Sequence, residues 1–260
     1  MKYLSLIASL SVTILIKLWG IDAILQKPVL AIATFRNISS SWKISQMYTP
    51  PDRGAPPTTT PTGTRGSCAL SKEKNLLLLI PENNIGLTLS KYPTFFVYIP
   101  PYKDAQEAEF FITDAENNNI YNHRLQLPEK SGIIKIKLPE KKSPPLEVGK
   151  EYTWGIQIFC QPDTGDHSGD AFSRGFIERI EPNIYLVEKL KKAKPLTVPS
   201  IYASQGIWYD ALESIVELRR LNLNNPKLIH DWQELFNSAN SHGKEELIPA
   251  PILDCCETED

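Results

Sequence analysis

The densest run of chemistry-bearing side chains is Asp163-Thr164-Gly165-Asp166-His167-Ser168-Gly169-Asp170. Its carboxylates Asp163, Asp166 and Asp170 are oxygen donors of the kind calcium prefers, so calcium is the one cofactor this loop would suit. Their spacing departs from the EF-hand pattern, and Asp, Gly and Ser are also what a tight strand connection needs. Asp166, His167 and Ser168 supply the residue types of a hydrolytic triad. Neighbours on an extended backbone project apart, however, and no Gly-x-Ser-x-Gly elbow occurs. Turn chemistry is therefore the expected role of the loop, and no catalytic residue is assigned.

The other candidates are weaker. His123, His230 and His242 stand without metal-ligand spacing, and no Cys-x-x-Cys pair exists. The glycine-bearing stretch 60–66 lacks the Gly-Lys-Ser/Thr that holds phosphate. Lys189, Lys191, Lys192 and Lys194 read as a solvated face. A net charge of −2 over 260 residues gives no long-range pull toward nucleic acid.

The elements that must position these residues begin with a targeting segment. Lys2, an apolar run over 4–16 and Ala23 at a cleavage position read as a signal peptide over residues 1–23. The expected compartment is periplasmic or extracellular, with membrane contact only if the segment stays uncleaved. Residues 24–65 are rich in Pro and Thr and read as an extended linker. Over 66–181 the period becomes two, as in Tyr152, Trp154, Ile156, Ile158 and Cys160 on one face. About eight short strands with turn residues between them predict an antiparallel β-sandwich. Leu146-Glu147-Val148-Gly149-Lys150-Glu151-Tyr152 resembles the tyrosine corner of fibronectin type III domains, so the sandwich is expected to be immunoglobulin- or fibronectin-III-like.

Residues 182–240 turn helical. Ile207, Trp208, Ala211, Leu212, Ile215, Val216 and Leu218 form one stripe, and Leu228, Ile229, Trp232, Leu235 and Phe236 form another. The pair predicts a helical hairpin broken at Pro226, followed by a flexible acidic tail over 241–260. Trp208 and Tyr209 lie about 100° apart on a helix, so either one of them is free for a partner, with Trp232 completing an interaction surface, or both are covered, one by the sandwich and the other by the second helix through Trp232.

Three segments carry a family resemblance. They are Arg65-Gly66-Ser67-Cys68, then residues 80–96 with Ile80-Pro81-Glu82-Asn83-Asn84-Ile85-Gly86, and residues 145–170 with the corner and Trp154. Together with Gly206-Ile207-Trp208-Tyr209 they resemble the largely cyanobacterial Domain of Unknown Function 928 family. The resemblance implies an exported bacterial protein and carries over no activity or site residues. The expected function is a non-catalytic interaction or structural module of the bacterial envelope, holding another envelope protein. The alternative is a glycan- or calcium-binding module built on the 163–170 loop and on Tyr98 or Tyr102.

Export would give Cys68 and Cys160 an oxidising compartment, and Cys160 falls on the inner face with Trp154 and Ile158. A Cys68–Cys160 disulfide is expected, worth about 4 kcal/mol in the chain-entropy model. Non-reducing peptide mapping should recover the two cysteines in one cross-linked fragment; alkylated free thiols at both positions would refute the pairing.

Overall fold

Alternation over 151–158, interrupted by a buried Gly155, makes a strand with one dry face, and the sandwich is assembled around it. In the computed structural model the described residues are 47–52, 75–83, 85–102, 107–161, 165–167, 169–222 and 225–253. The signal-peptide segment, most of the linker, Cys68, Asp163, Cys255 and Cys256 lie outside them. Strands β1 (Leu77–Leu78), β3 (Thr94–Ile99) and β6 (Gly132–Lys137) form an antiparallel sheet in the order β1-β3-β6. Strands β2 (Ile85–Thr88), β4 (Glu107–Thr113), β5 (Asn119–Gln126), β7 (Glu151–Phe159) and β8 (Ala171–Arg179) form the second, in the order β2-β8-β7-β4-β5. The sheets meet through Phe95 of β3, whose ring lies 5.1 Å from Phe110 and 4.6 Å from Trp154. Both partners belong to the larger sheet, so the β-sandwich expectation holds.

One strand pairing within the sandwich is not antiparallel. β2 runs parallel to β8, pairing Ile85 with Phe176 and Thr88 with Arg179. The chain leaves β1 in one sheet, turns through Pro81 and Glu82, and joins the other sheet beside its last strand. A strand's own residues do not record which distant neighbour it will meet.

Two local features follow from residue chemistry. Asp114 caps the β4–β5 turn by accepting from the backbone N–H groups of Glu116 and Asn118, at 3.0 and 2.7 Å. In the tyrosine corner, the Tyr152 hydroxyl accepts from the Glu147 N–H at 3.1 Å, Leu146 is buried, and Gly149 takes the left-handed turn at φ 75°.

Helices follow the strands: α1 (Ile184–Lys192), α2 (Val198–Ala203), α3 (Trp208–Leu221), α4 (Pro226–Ser238) and α5 (Lys244–Leu247). Asn183 and Asn225 cap α1 and α4 by accepting from the N–H groups of Leu186 and Lys227. The hairpin α3–α4 is present, but it is no appendage, because its apolar stripe shares one core with both sheets.

Two segments expected to be loose are built into that core. From the linker, Tyr48 is buried with its ring edge-on to Trp208 at 5.1 Å, while its N–H donates to Ser238 Oγ. Thr49 N–H donates to the Ala203 carbonyl at 3.0 Å, and a side chain at Gly206 would reach within 2.9 Å of the Thr49 oxygen. From the tail, Ile133 N–H donates to Pro251 O and Leu253 N–H donates to Ile133 O, both at 2.8 Å. The stretch 251–253 thus lies alongside β6, so 241–253 is part of the fold and not a flexible tail. Edge backbone groups gain partners by this arrangement.

Trp154 is fully enclosed, so Trp154→Ala should destabilise by about 3–5 kcal/mol. Tyr152→Phe should cost about 1 kcal/mol through its single hydrogen bond to Glu147. Denaturant unfolding of the two variants checks both the values and their order.

Candidate functional site

The loop expected to be the strongest chemical candidate is occupied with its own structure. Asp170 is buried just before β8, and Oδ1 accepts from the Cys160 N–H at 2.9 Å. Oδ2 accepts from Gln157 Nε2 and faces His167 Nδ1, each at 2.8 Å. Burial raises the pKa of this carboxyl, but those hydrogen bonds outweigh it and leave the group below its ordinary range. Asp166 is exposed, and among the described residues no group of three His, Cys, Asp or Glu side chains could hold a metal. Asp163 lies outside the described residues. Tyr98 is buried and Tyr102 half-buried, which corrects their expectation as exposed glycan contacts.

Of the two readings of the hairpin aromatics the covered one holds, and the interaction surface on them is corrected. Trp208, Tyr209 and Trp232 are each at most 1% exposed. Each polar tip has found a partner inside the fold. Trp208 Nε1 donates to the Leu79 carbonyl at 2.8 Å and Trp232 Nε1 to the Ile248 carbonyl at 3.2 Å. The Tyr209 hydroxyl accepts from Trp154 Nε1 at 2.6 Å and donates to the Phe176 carbonyl at 3.0 Å. The 100° between Trp208 and Tyr209 is satisfied by two different covers. Tyr209 enters the sandwich beside Phe95 and Trp154, while Trp208 sits between Tyr48 and Phe236.

The acidic face of α3 is also committed inward. Asp210 Oδ2 accepts from Thr88 Oγ1 at 2.8 Å and from the Leu89 N–H at 3.1 Å. Glu213 accepts from Thr94 Oγ1 at 2.6 Å, and Glu217 pairs with Lys135 at 2.8 Å. Burial pushes the Asp210 carboxyl up to about 6. The bonds from Thr88 and Leu89 pull against this shift, and nearby Glu213 adds to it.

Exposed apolar side chains among the described residues include Met47, Leu221 on α3, Ile229 on α4 and a neighbouring pair on α1. Leu186 is buried and packs with Ile201 and Ile207, with Leu190 and Ala193 partly buried against them. This anchoring leaves Ile184 80% and Tyr185 69% exposed in the first turn. Between α1 and α2 runs a cleft of about 440 Å³, lined by Tyr185, Glu188, Lys189 and Lys192 of α1 together with Ala193, Thr197 and Ile201. The four lysines expected on a solvated face are indeed exposed there. Sequence reasoning missed Ile184 and Tyr185. The available signal was the Leu186, Leu190 and Ala193 stripe, from which those two residues are rotated away.

The family model for the Domain of Unknown Function (DUF928) matches residues 60–251. The chain belongs to that family. No curated protein matches this DUF928 chain. Among solved structures, it is similar to the fn3 domain of the human collagen alpha-1(XX) chain, at 14% identity and TM-score 0.24. That match covers 46% of this chain and 92% of the other. It is also similar to a β-glucuronidase of Bifidobacterium dentium complexed with coumarin-3-O-glucuronide, at 8% identity and TM-score 0.27. This second match covers 64% of the chain and spans about a third, 34%, of the enzyme. Among the described residues, no helix of the DUF928 chain is long and apolar enough to cross a membrane.

Asp210 gives a pH signature. Its pKa in the fold lies above the ordinary carboxylate value, so its contribution to stability is complete below about pH 4 and declines as pH rises through about 6. Asp210→Asn keeps a carbonyl acceptor for Thr88 and Leu89 and cannot ionise. Its stability relative to the wild type should therefore rise between pH 4 and pH 7. Parallel denaturant curves across that range check the sign; a constant difference would remove Asp210 from the account.

Proposed function

We propose that this DUF928 protein is an exported, non-catalytic module of the bacterial envelope that holds another protein, and that the contact runs through α1. One observation supports this reading above the others. The aromatic residues of the α3–α4 hairpin are consumed by the core, while Ile184 and Tyr185 stand in solvent beside a cleft. Exposed apolar side chains rimmed by polar ones mark interaction sites, and tyrosine is enriched in them. The sandwich then serves as the rigid support that fixes α1 in place.

Site-specific photo-crosslinking in intact cells tests the reading. A photoreactive residue replacing Tyr185 should give a discrete protein adduct in the envelope fraction, and one replacing Asn122, on the exposed edge strand β5, should not. A chain that stays in the cytoplasm, or that gives no adduct at position 185, would refute it.

A further inference from the structure

We infer that the α1–α2 cleft takes an acidic peptide segment carrying an apolar anchor, supplied by the partner; the inference rests on the docking role proposed for α1. The lining residues define the ligand. Tyr185 and Ile201 offer apolar contact, while Lys189 and Lys192, three residues apart, present their ammonium groups on the same side of the helix. Glu188 also borders the cleft, and Lys191 and Lys194 lie just outside it, so the local balance is strongly cationic although the chain as a whole carries −2. An anionic partner is complementary to that balance.

Basic residues in a last turn also favour the helix dipole, which accounts for part of the lysine placement. The dipole gives no reason for Ile184 and Tyr185 to be exposed in the first turn. Shape selects among anionic partners. A flat lipid surface would touch Ile184 but leave the cleft filled with water, whereas a side chain can enter it. The volume of about 440 Å³ lies within the range of roughly 300–1,000 Å³ typical of ligand clefts. Ile184 and Leu196, the latter 38% exposed, adjoin the lining residues Tyr185 and Thr197 in sequence and are exposed apolar side chains. α1 has 9 residues and so is about 13 Å long, the span of about four extended peptide residues.

The probe is a fluorescein-labelled synthetic peptide with a central Leu-Tyr pair flanked by glutamates, titrated into the full chain and followed by anisotropy. Saturable binding that weakens with salt is expected. Replacing its glutamates by glutamine, or its Leu-Tyr pair by serine, should each weaken binding by about tenfold. On the protein, Lys189→Glu with Lys192→Glu should lose at least about tenfold, and the paired Lys→Gln variant less, with melting temperatures lowered by only a few degrees because both side chains are exposed and lose only their contact with the helix dipole. Tyr185→Ala should lose about as much.

No binding, or binding indifferent to the lysine substitutions, overturns the inference. So does co-sedimentation with phosphatidylglycerol vesicles in place of peptide binding. The crosslink at position 185 separates this inference from the docking role beneath it. An adduct that persists in the Lys→Glu pair keeps the docking role and removes the acidic ligand; absence of any adduct in the wild type removes both.

Discussion

The Tyr209 hydroxyl holds the two halves of the structure together. It sits in a water-free interior and is satisfied on both sides, accepting from Trp154 Nε1 and donating to the Phe176 carbonyl. Leaving either of those buried groups without a partner would cost about 1–3 kcal/mol. The contact exists only because β2 offers Gly86, where a Cβ would stand 2.6 Å from the Tyr209 ring and 3.2 Å from Trp208 Cβ. One glycine therefore admits the first turn of α3 against a strand backbone, and the sandwich and the helices become one core.

Once α3 is seated, its polar residues have to be accommodated. Asp210, Glu213 and Glu217 follow one side of the helix and reach Thr88 on β2, Thr94 on β3 and Lys135 on β6. The first bond anchors α3 to the larger sheet and the other two to the smaller. Burial raises the Asp210 carboxyl, whereas Asp170, just before β8, is kept below its ordinary range by its hydrogen bonds. Burial draws both upward; nearby Glu213 adds to the shift at Asp210, whereas three hydrogen bonds and the neighbouring His167 outweigh it at Asp170. The linker strap then covers Trp208 through Tyr48, and the chain beyond α5 pairs with the edge of β6.

Among the exposed apolar side chains that this arrangement leaves, α1 holds two neighbours, Ile184 and Tyr185. The helix is anchored through Leu186 and packs on α2 more loosely than α3 packs on the sheets. A rigid support with one lightly held, cationic and aromatic helix is suited to binding a partner segment without altering the core.

The sequence by itself determined the local chemistry. Alternation over 151–158, the Asp114 turn, the corner from Leu146 to Tyr152 and the break at Pro226 each depend on residues within a few positions of one another. Each is found in the structure. The family was legible for the same reason, since those local segments are what the resemblance rests on. Tertiary structure alone decided which side chains were left for function. Trp208, Tyr209 and Trp232 carry the composition of a binding surface, but partners 16 to 129 residues away claimed their polar tips. The parallel pairing of β2 with β8 and the docking of 48–49 and 251–253 are likewise long-range pairings. A helical stripe specifies that a face must be buried; how much of the remaining face is also covered depends on where distant segments come to rest.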